Sequence, residues 1–393
     1  MISKIEKKGF CLGCGLCSSA LGKDKCEMLM SEDGFYHPKV KAVLSKNENQ
    51  YVKALCPAIH IESLPHKGVW GNVRFIAEAW SADNQIRFKA ASGGTTTSLA
   101  IYLLENNLVD AVLQVGVSCD SALFNELKIS RTRDDVIKNA QSRYAPTPIF
   151  QNLIDILESS KESYAFIGKP CDIAALKNLC AKNDKYLNRI KYFLSIFCAG
   201  MPSYNATKQV YQQSGRSEEP ISIQYRGNGW PGFFRAVWKD GYEFKMSYND
   251  SWGKFLGRKV GMRCKICPDG IGMLADIAIG DSWNTSNGYP DFTEAEGKCF
   301  CMIRSVEGEK IFKDAIKKGY LIGDEVPLNK IQFMQAYQYG RRKMIGWRLL
   351  PIYLLSGFMF SFKGLGIISL TIHSNFIKGI KNAIGSLKRY MEY

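Results

Sequence analysis

The sequence lacks several features that assign a chain to a common class of protein. It has 4 histidines in 393 residues, and they are scattered without forming a pair of metal ligands. It has no internal repeat, no low-complexity segment and no serine or cysteine hydrolase motif. Its most apolar stretch, residues 349–362, is interrupted by Pro351 and is shorter than the roughly 18 residues that a membrane-spanning helix needs.

The first residues also lack the apolar segment and the small-residue cleavage site of a signal peptide, so we expect a cytoplasmic protein. Hydrophobic residues make up 46% of the chain and charged residues 23%, a balance typical of globular proteins rather than disordered ones. A chain of this length is expected to fold as two or three subdomains.

Acidic residues are scarce at the C-terminal end. The formal net charge is +15, and residues 330–393 contribute ten Lys or Arg against one acid, Glu392. Because the basic excess is concentrated there, it does not indicate a nucleic-acid-binding protein. The neighbouring aromatic residues suit an anionic membrane surface, which gives a hypothesis of peripheral contact with the inner face of a membrane. A helix packed on the body with a solvated basic face is the alternative.

Cysteine, in contrast, is abundant. The chain has 13 cysteines and no secretory signal, which favours metal binding or catalysis over a disulfide framework. Cys11, Cys14 and Cys17 are each separated by two residues, with Gly13 and Gly15 between them. One tight turn of this kind can present three thiolates to a 4Fe–4S cluster.

The fourth ligand of this cluster has two candidates. The position at which a bacterial ferredoxin carries its next cysteine is Leu21 here. Cys26 and Cys56 are the available substitutes, and Cys26 is favoured because it closes a shorter loop. A structural zinc site is the alternative interpretation of the same cysteines.

A second cysteine pair, Cys264 and Cys267, is followed by Pro268 and is too small to hold a metal alone. Cys171 and Cys198 lie at the predicted ends of two strands, where open α/β sheets assemble their sites. The four cysteines together are a reasonable second ligand set. The alternative is that Cys171 and Cys198 are ordinary buried residues.

Two predicted helix starts suit a phosphate or pyrophosphate group. Residues 92–95 read Ser-Gly-Gly-Thr before one helix, and Lys169 adds a cation before another. The two together favour FAD, although the chain lacks the GxGxxG fingerprint of a standard Rossmann site. The candidate flavin-binding residues are Ser92, Gly93, Gly94, Thr95, Gly168 and Lys169, and Lys169 is also the candidate catalytic residue. Trp230, in the turn 226–232, is a candidate aromatic contact or simply part of a packing turn.

The hydrophobic pattern predicts an α/β fold. Strands are predicted at 109–117, 163–169 and 189–200, and helices at 95–107 and 171–183. Their alternation indicates βαβ units and a mainly parallel sheet. We expect a small N-terminal ferredoxin-like iron–sulfur module at 1–68 and an α/β flavin-binding domain at 69–214. An α+β part at 215–335, with a hairpin turning at Asp240 and Gly241, and a basic helical tail at 336–393 complete the prediction.

The order of these motifs resembles one known family. The segments are CxxCGxC, ASGG, SRYAP, GKPC, FCAG, RGNGWPG and CxxCPDGIGMLADIAIGD. In this order they are similar to the beta subunits of coenzyme F-420 hydrogenases and dehydrogenases, over roughly residues 8–335. That family also includes a plant hydroxymethyl-chlorophyll reductase and bacterial members found among polysaccharide-biosynthesis genes.

The resemblance implies an FAD-binding iron–sulfur oxidoreductase that passes electrons between its clusters and the flavin. It also implies that Ser142, Arg143 and Tyr144, which match a segment often reading SKY, line the flavin site. We expect ferredoxin or another electron donor and a small-molecule substrate as partners. Two alternatives stay open: an electron-relay subunit of a larger oxidoreductase, and a zinc-stabilised structural protein.

Overall fold

The computed structural model of this chain describes residues 1–66, 68–286 and 289–392. Its first part consists of short elements around the cysteine-rich segment. They are α1 (Ile2–Lys7), α2 (Leu16–Leu21), β1 (Cys26–Met30), β2 (Tyr36–Val40), α3 (Lys46–Leu55) and β3 (His60–Glu62). α3 begins with a capping box, in which the Ser45 hydroxyl accepts the Glu48 N–H and the Glu48 carboxylate accepts the Ser45 N–H.

The next part alternates strands and helices as the sequence predicts. Its elements are β4 (Phe75–Ser81), α4 (Asn84–Lys89), α5 (Thr95–Glu105), β5 (Ala111–Val117), β6 (Asn125–Ser130), α6 (Arg133–Asn139), α7 (Leu153–Ser159), β7 (Tyr164–Gly168), α8 (Pro170–Cys180), α9 (Asp184–Leu187), β8 (Ile190–Ile196) and α10 (Tyr204–Tyr211). The predicted strands and helices of this region are confirmed to within a few residues.

The third part mixes short strands and helices. Its elements are β9 (Ser222–Gln224), β10 (Phe233–Val237), β11 (Glu243–Ser247), α11 (Tyr248–Asp250), α12 (Met262–Lys265), β12 (Ile277–Asp281), β13 (Thr285–Ser286), β14 (Tyr289–Pro290), β15 (Cys299–Ile303), α13 (Val306–Lys317) and β16 (Leu321–Glu325). β10 and β11 form the predicted antiparallel hairpin, in which Gly241 has a φ of +82°.

The last part is helical, as expected. Its elements are α14 (Ile331–Met334), α15 (Ala336–Lys343), α16 (Ile345–Ser356), β17 (Ser361–Lys363), α17 (Ile367–Ile372) and α18 (Phe376–Met391). This tail is not a separate appendage, because β17 pairs in parallel with β3 of the first part. The Phe10 ring is also surrounded by Phe358, Phe360 and Tyr390, with ring centroids 5.7, 5.0 and 6.0 Å away. Nowhere in the described part of the chain is a helix long and apolar enough to cross a membrane.

Within the described residues, the largest sheet has eight strands in the order β16-β4-β15-β12-β8-β7-β5-β6. Its centre, β12-β8-β7-β5, is parallel, which confirms the main prediction for the sheet. β16, β15 and β6 are antiparallel to their neighbours. The sheet takes strands from both predicted domains, 69–214 and 215–335, so these two parts share one sheet.

Helices cover both faces of this sheet. On one face, α5 and α13 bury residues such as Leu99, Leu103 and Phe312. On the other face, α7 and α8 bury residues such as Leu157 and Leu176. β7 and β15 are apolar along their whole length because both of their faces are covered.

Candidate functional site

The candidate site residues of the α/β part lie at one edge of the large sheet. β4, β5, β7, β8 and β12 run in the same direction, so their carboxyl ends share an edge. Lys169 directly follows β7, Cys198 follows β8 by two residues, and Asp281 is the last residue of β12. α5 also begins at this edge, because it connects the carboxyl end of β4 to the start of β5. This is the edge at which open α/β sheets bind their ligands.

The N-terminal cysteine loop is held against the body by close backbone contacts. Gly13 and Gly15 have φ values of +66° and +81°, which allow the loop to turn tightly. A Cβ on Gly13 would lie 2.9 Å from the Tyr36 carbonyl oxygen, and one on Gly15 would lie 2.9 Å from the Gln151 nitrogen. Both positions therefore require glycine for conformation and for space.

This loop brings the predicted thiols into one neighbourhood. The pKa of the Cys11 thiol is raised to about 12, chiefly by burial, and the nearby thiols of Cys56 and Cys26 contribute to the rise. Burial and then Cys56 raise the pKa of Cys14 in the same way. The thiols of Cys17 and Cys26 interact with each other, which raises the pKa of Cys17 and lowers that of Cys26. Both candidates for the fourth ligand, Cys26 and Cys56, thus lie beside the three cysteines of the loop.

The backbone around these sulfurs follows a repeated pattern. The Gly13 N–H donates to the Cys11 Sγ at 3.4 Å, and Gly13 is two residues after Cys11. The N–H two residues after each of three further cysteines also lowers the pKa of that thiol. The pairs are Leu16 with Cys14, Ala58 with Cys56, and Gly200 with Cys198. Such N–H groups favour a sulfur that carries negative charge, as a cluster ligand does.

The second predicted set is also brought together. Burial raises the pKa of the Cys198 thiol to about 12, followed by the effects of Cys264 and Cys267. Burial raises the pKa of the Cys171 thiol well above its ordinary value, and Cys198 and Cys267 add to that shift. Lys169 lies in the same neighbourhood, where its Nζ donates to the Asp172 Oδ2 at 2.6 Å.

The two cysteine sets adjoin each other. Cys11 and Cys264 line the same cleft, together with Arg263. The Asp172 carboxylate influences the thiols of both Cys14 and Cys171. Members of the two sets therefore share neighbouring residues.

Buried arginines beside the cysteines were not predicted from the sequence. Arg341 of α15 donates hydrogen bonds to the carbonyl oxygens of Ala199 and Cys264, and Arg342 donates to that of Pro268. Within the described residues, Arg263 Nη1 and Arg341 Nε are buried donors without an acceptor. Buried donors are normally satisfied, so these two suit an anionic group between them and the cysteines. No spacing rule reveals them, because their position depends on how α15 packs.

The geometry also bears on the kind of metal group that fits. In residues 1–66, 68–286 and 289–392, no three His, Cys, Asp or Glu side chains converge closely enough to hold a single metal ion. A cubane cluster places its thiolate ligands farther apart than a single tetrahedral zinc does, because each thiolate binds a different iron atom. A cluster and a zinc ion therefore require different spacings of the same cysteines.

The Ser92–Thr95 segment is packed firmly at the start of α5. The hydroxyls of Ser92 and Thr95 donate to the carbonyl oxygens of Lys298 and Ala79, each at 2.9 Å. No side chain among the described residues caps α5 at Gly94. The first backbone N–H groups of this helix thus point to the carboxyl edge of the sheet, where they suit an anionic group.

The two predicted phosphate sites are well separated. α5 follows β4 and Lys169 follows β7, and these strands are four positions apart in the sheet. Neighbouring strands are about 4.8 Å apart, so the two sites are about 19 Å apart along the edge. A single ligand that reaches both must be as long as an extended dinucleotide.

The other predicted flavin contacts have protein partners. Arg143 donates hydrogen bonds to Asn125 Oδ1 and to the carbonyl oxygens of Ala122 and Ile223. Tyr144, which follows Ser142 and Arg143, packs edge-on against Trp252 with ring centroids 5.0 Å apart. These contacts connect the segment 142–144 to the loops around it.

Trp230 belongs to a buried aromatic group. It stacks on Trp283 with ring centroids 4.7 Å apart, and its Nε1 donates to the Asp281 Oδ1 at 3.0 Å. The Arg226 guanidinium donates to both oxygens of the same carboxylate, at 2.9 and 3.0 Å. Asp281 therefore holds the turn 226–232 at the carboxyl end of β12.

Comparison with known proteins places this architecture in a family. Residues 76–153 match the N-terminal part of the coenzyme F420 hydrogenase/dehydrogenase beta subunit, and residues 161–327 match its C-terminal part. The two matches cover more than half of the chain. The chain therefore belongs to the coenzyme F420 hydrogenase/dehydrogenase beta-subunit family, as the motif order indicated.

Two relatives show the range of the match. The chain is 28% identical over 249 residues to the beta subunit of F420-dependent formate dehydrogenase 1 from Methanococcus maripaludis, covering 61% of this chain and 59% of the relative. It is 25% identical over 257 residues to the coenzyme F420 hydrogenase beta subunit of Methanococcus voltae, covering 64% of this chain and 84% of the relative.

A solved structure supports the fold. A chain of the F420-reducing NiFe hydrogenase complex from Methanosarcina barkeri superposes with a TM-score of 0.55 at 19% identity. The superposition covers 94% of that chain but 72% of this one. More than a quarter of this chain thus lies outside the shared fold.

Proposed function

We propose that the chain is an iron–sulfur flavoprotein oxidoreductase that transfers electrons from an external donor, such as ferredoxin, to a small molecule. The observation that carries this proposal is the adjacency of two cysteine sets beside the carboxyl edge of the sheet. Iron–sulfur clusters and a flavin would supply the single-electron and two-electron chemistry when they are bound.

In this proposal, each part of the chain has a defined role. Cys11, Cys14 and Cys17, with Cys26 or Cys56, bind the first 4Fe–4S cluster. Cys171, Cys198, Cys264 and Cys267 bind the second. The backbone N–H groups that face the sulfurs stabilise their negative charge, and the buried arginines do the same for the clusters.

The flavin is proposed to lie along the carboxyl edge of the sheet. The free N–H groups at the start of α5 bind part of its pyrophosphate, and Gly93 allows the segment to pack closely. Lys169 holds its positive charge toward the second cysteine set through its contact with Asp172. Trp230 and its aromatic neighbours form the side of the site at β12.

A cofactor count on anaerobically purified protein tests the proposal. Two 4Fe–4S clusters correspond to about eight iron and eight acid-labile sulfide per chain, with about one flavin. The variant Cys198→Ser should lose about half of the iron. Cys119→Ser is the matched control, because Cys119 is exposed and belongs to neither set. Zinc without sulfide or flavin would contradict the proposal.

A relay subunit is the second candidate, and the names of the relatives favour it. Both the formate dehydrogenase and hydrogenase relatives are beta subunits of larger enzymes. A relay subunit would copurify with a catalytic partner in fixed stoichiometry, and the isolated chain would accept electrons without turning over a substrate. Turnover by the isolated chain would contradict this second candidate.

A further inference from the structure

The C-terminal helices turn their apolar side chains outward. On α18, Gly379 and Ser386 are buried, while Ile377 and Ile384 are 66% and 60% exposed. A surface helix normally buries its large apolar residues and exposes its small and polar ones. α18 does the reverse, so burial in the core of this chain does not explain its isoleucines.

Close helix packing explains why the small residues face inward. A Cβ on Gly379 would lie 2.3 Å from the Trp347 ring of α16. The Arg348 Nε donates to the Asn382 Oδ1 at 2.9 Å, and the Trp347 Nε1 donates to the Ser374 Oγ at 2.8 Å. α16 and α18 are therefore joined through glycine and polar contacts, which leaves the isoleucines free to face outward.

The outward apolar residues of α18 form a line. Ile377, Ile380, Ile384 and Met391 follow each other at intervals of three, four and seven residues, the spacing of one helix face. α16 and α17 add further exposed apolar side chains, which are Leu350, Leu354, Leu355, Ile368 and Ile372. Together these residues are called the outer apolar face. α16 packs against both α17 and α18, and exposed apolar residues in this number on three packed helices are typical of a surface that binds a partner.

The charges around the outer apolar face identify the kind of partner. Lys378, Lys381 and Lys388 of α18 are exposed. From residue 336 to residue 392 the chain has one acid, Glu392, which lies 3.9 Å from Lys388. A helix with an apolar line flanked by lysines suits the interface of an anionic bilayer, where the apolar residues enter the acyl boundary and the lysines meet the headgroups.

The position of this face outside the family region supports a separate role. The family matches end at residue 327, before α14 begins. The outer apolar face lies on α16, α17 and α18, so all of its residues come after the matched region. We propose that it binds the chain peripherally to the surface of a membrane containing anionic lipid.

Vesicle flotation with the anaerobically purified full chain tests this proposal. The chain should float with vesicles in which a third of the lipid is phosphatidylglycerol and should bind far less to pure phosphatidylcholine vesicles. Ile377→Gln combined with Ile384→Gln should lower the partition coefficient at least about tenfold. Ile221→Gln combined with Ile322→Gln is the matched control, because these isoleucines are 54% and 50% exposed elsewhere on the chain.

A variant that removes lysines separates the electrostatic contribution to vesicle binding from the apolar one. Lys378→Gln combined with Lys381→Gln should lower binding to the anionic vesicles about tenfold or more and leave the weak neutral binding unchanged. Equal flotation of the full chain and both variants would overturn the proposal, as would no flotation at all. A dimer in lipid-free solution that Ile377→Gln and Ile384→Gln convert to a monomer would assign the face to a second copy instead.

Discussion

The Arg263 Nε donates a 2.6 Å hydrogen bond to the Ala58 carbonyl oxygen. Its Nη2 also donates to the Pro57 carbonyl oxygen at 3.3 Å. Ala58 and Pro57 directly follow Cys56, and Arg263 directly precedes Cys264. One buried side chain therefore connects the backbone beside the first cysteine set to the backbone beside the second.

Replacing Arg263 by Met should destabilise the fold. The change leaves two buried carbonyl oxygens without a charged donor, which costs about 2–4 kcal/mol of unfolding free energy. Anaerobic urea denaturation measures this loss. Arg258→Met is the control, because Arg258 is exposed and its loss should change the free energy by less than about 0.5 kcal/mol. Equal stabilities of the two variants would contradict the role of Arg263.

The fourth ligand of the first cluster is expected to be Cys56 rather than Cys26. Burial raises the pKa of Cys56, as it does that of Cys11, and the N–H groups of Ala58 and Ile59 oppose it by favouring the thiolate, as Gly13 does at Cys11. Cys26 has no such N–H group among the causes of its shift, and its pKa is lowered by the Cys17 thiol instead. Cys56→Ser should therefore remove about half of the iron, while Cys26→Ser should retain most of it. Iron and sulfide counts on both variants decide between the two ligands. Loss of iron from Cys26→Ser and its retention in Cys56→Ser would identify Cys26 as the ligand.

Gly93 should not tolerate a methyl group. A Cβ there would lie 2.9 Å from the Cys299 nitrogen and 3.1 Å from the Ala79 carbonyl oxygen, both of which are backbone atoms. Gly93→Ala should cost about 1–3 kcal/mol and weaken flavin retention, because the start of α5 must shift. Gly340→Ala is the matched control, since a Cβ on Gly340 of α15 meets nothing within 4 Å. That change should raise stability by about 0.5–1 kcal/mol.

Arg226 is expected to be essential to the turn 226–232. It is 2% exposed and pairs with both carboxylate oxygens of Asp281. Arg226→Met leaves that carboxylate with the Trp230 Nε1 as its remaining side-chain donor, so we expect a loss of about 3–5 kcal/mol. Arg216→Met, which breaks the exposed pair with Asp240, should have a far smaller effect. Thermal unfolding of both variants measures the difference.

The sequence predicts the central sheet and its helices well, because their signals are local. α5 and α8 were expected at 95–107 and 171–183, and they occupy Thr95–Glu105 and Pro170–Cys180. The convergence of Cys171 and Cys198 also follows from local information, since each comes after a strand of a parallel sheet. The identity of the cluster ligands and of the flavin contacts stays a prediction.

Other features depend on long-range packing and could not be predicted. The pairing of β3 with β17 joins segments that are far apart in the chain. The burial of Arg341 and Arg342 depends on how α15 packs against residues 264–268. The sequence predicts a basic helical tail. It does not predict that Gly379 faces inward and that Ile377 and Ile384 face outward, because this depends on how α16 and α18 pack together.

The pairing of β3 with β17 has a consequence for the biogenesis of the protein. The ribosome makes residues 361–363 about 300 residues after residues 60–62, and domains otherwise tend to fold from the N-terminal end during synthesis. The N-terminal cysteine module, although made first, therefore receives its last strand and its aromatic cover late. Assembly of the proposed iron–sulfur cluster is accordingly expected after translation of the whole described chain.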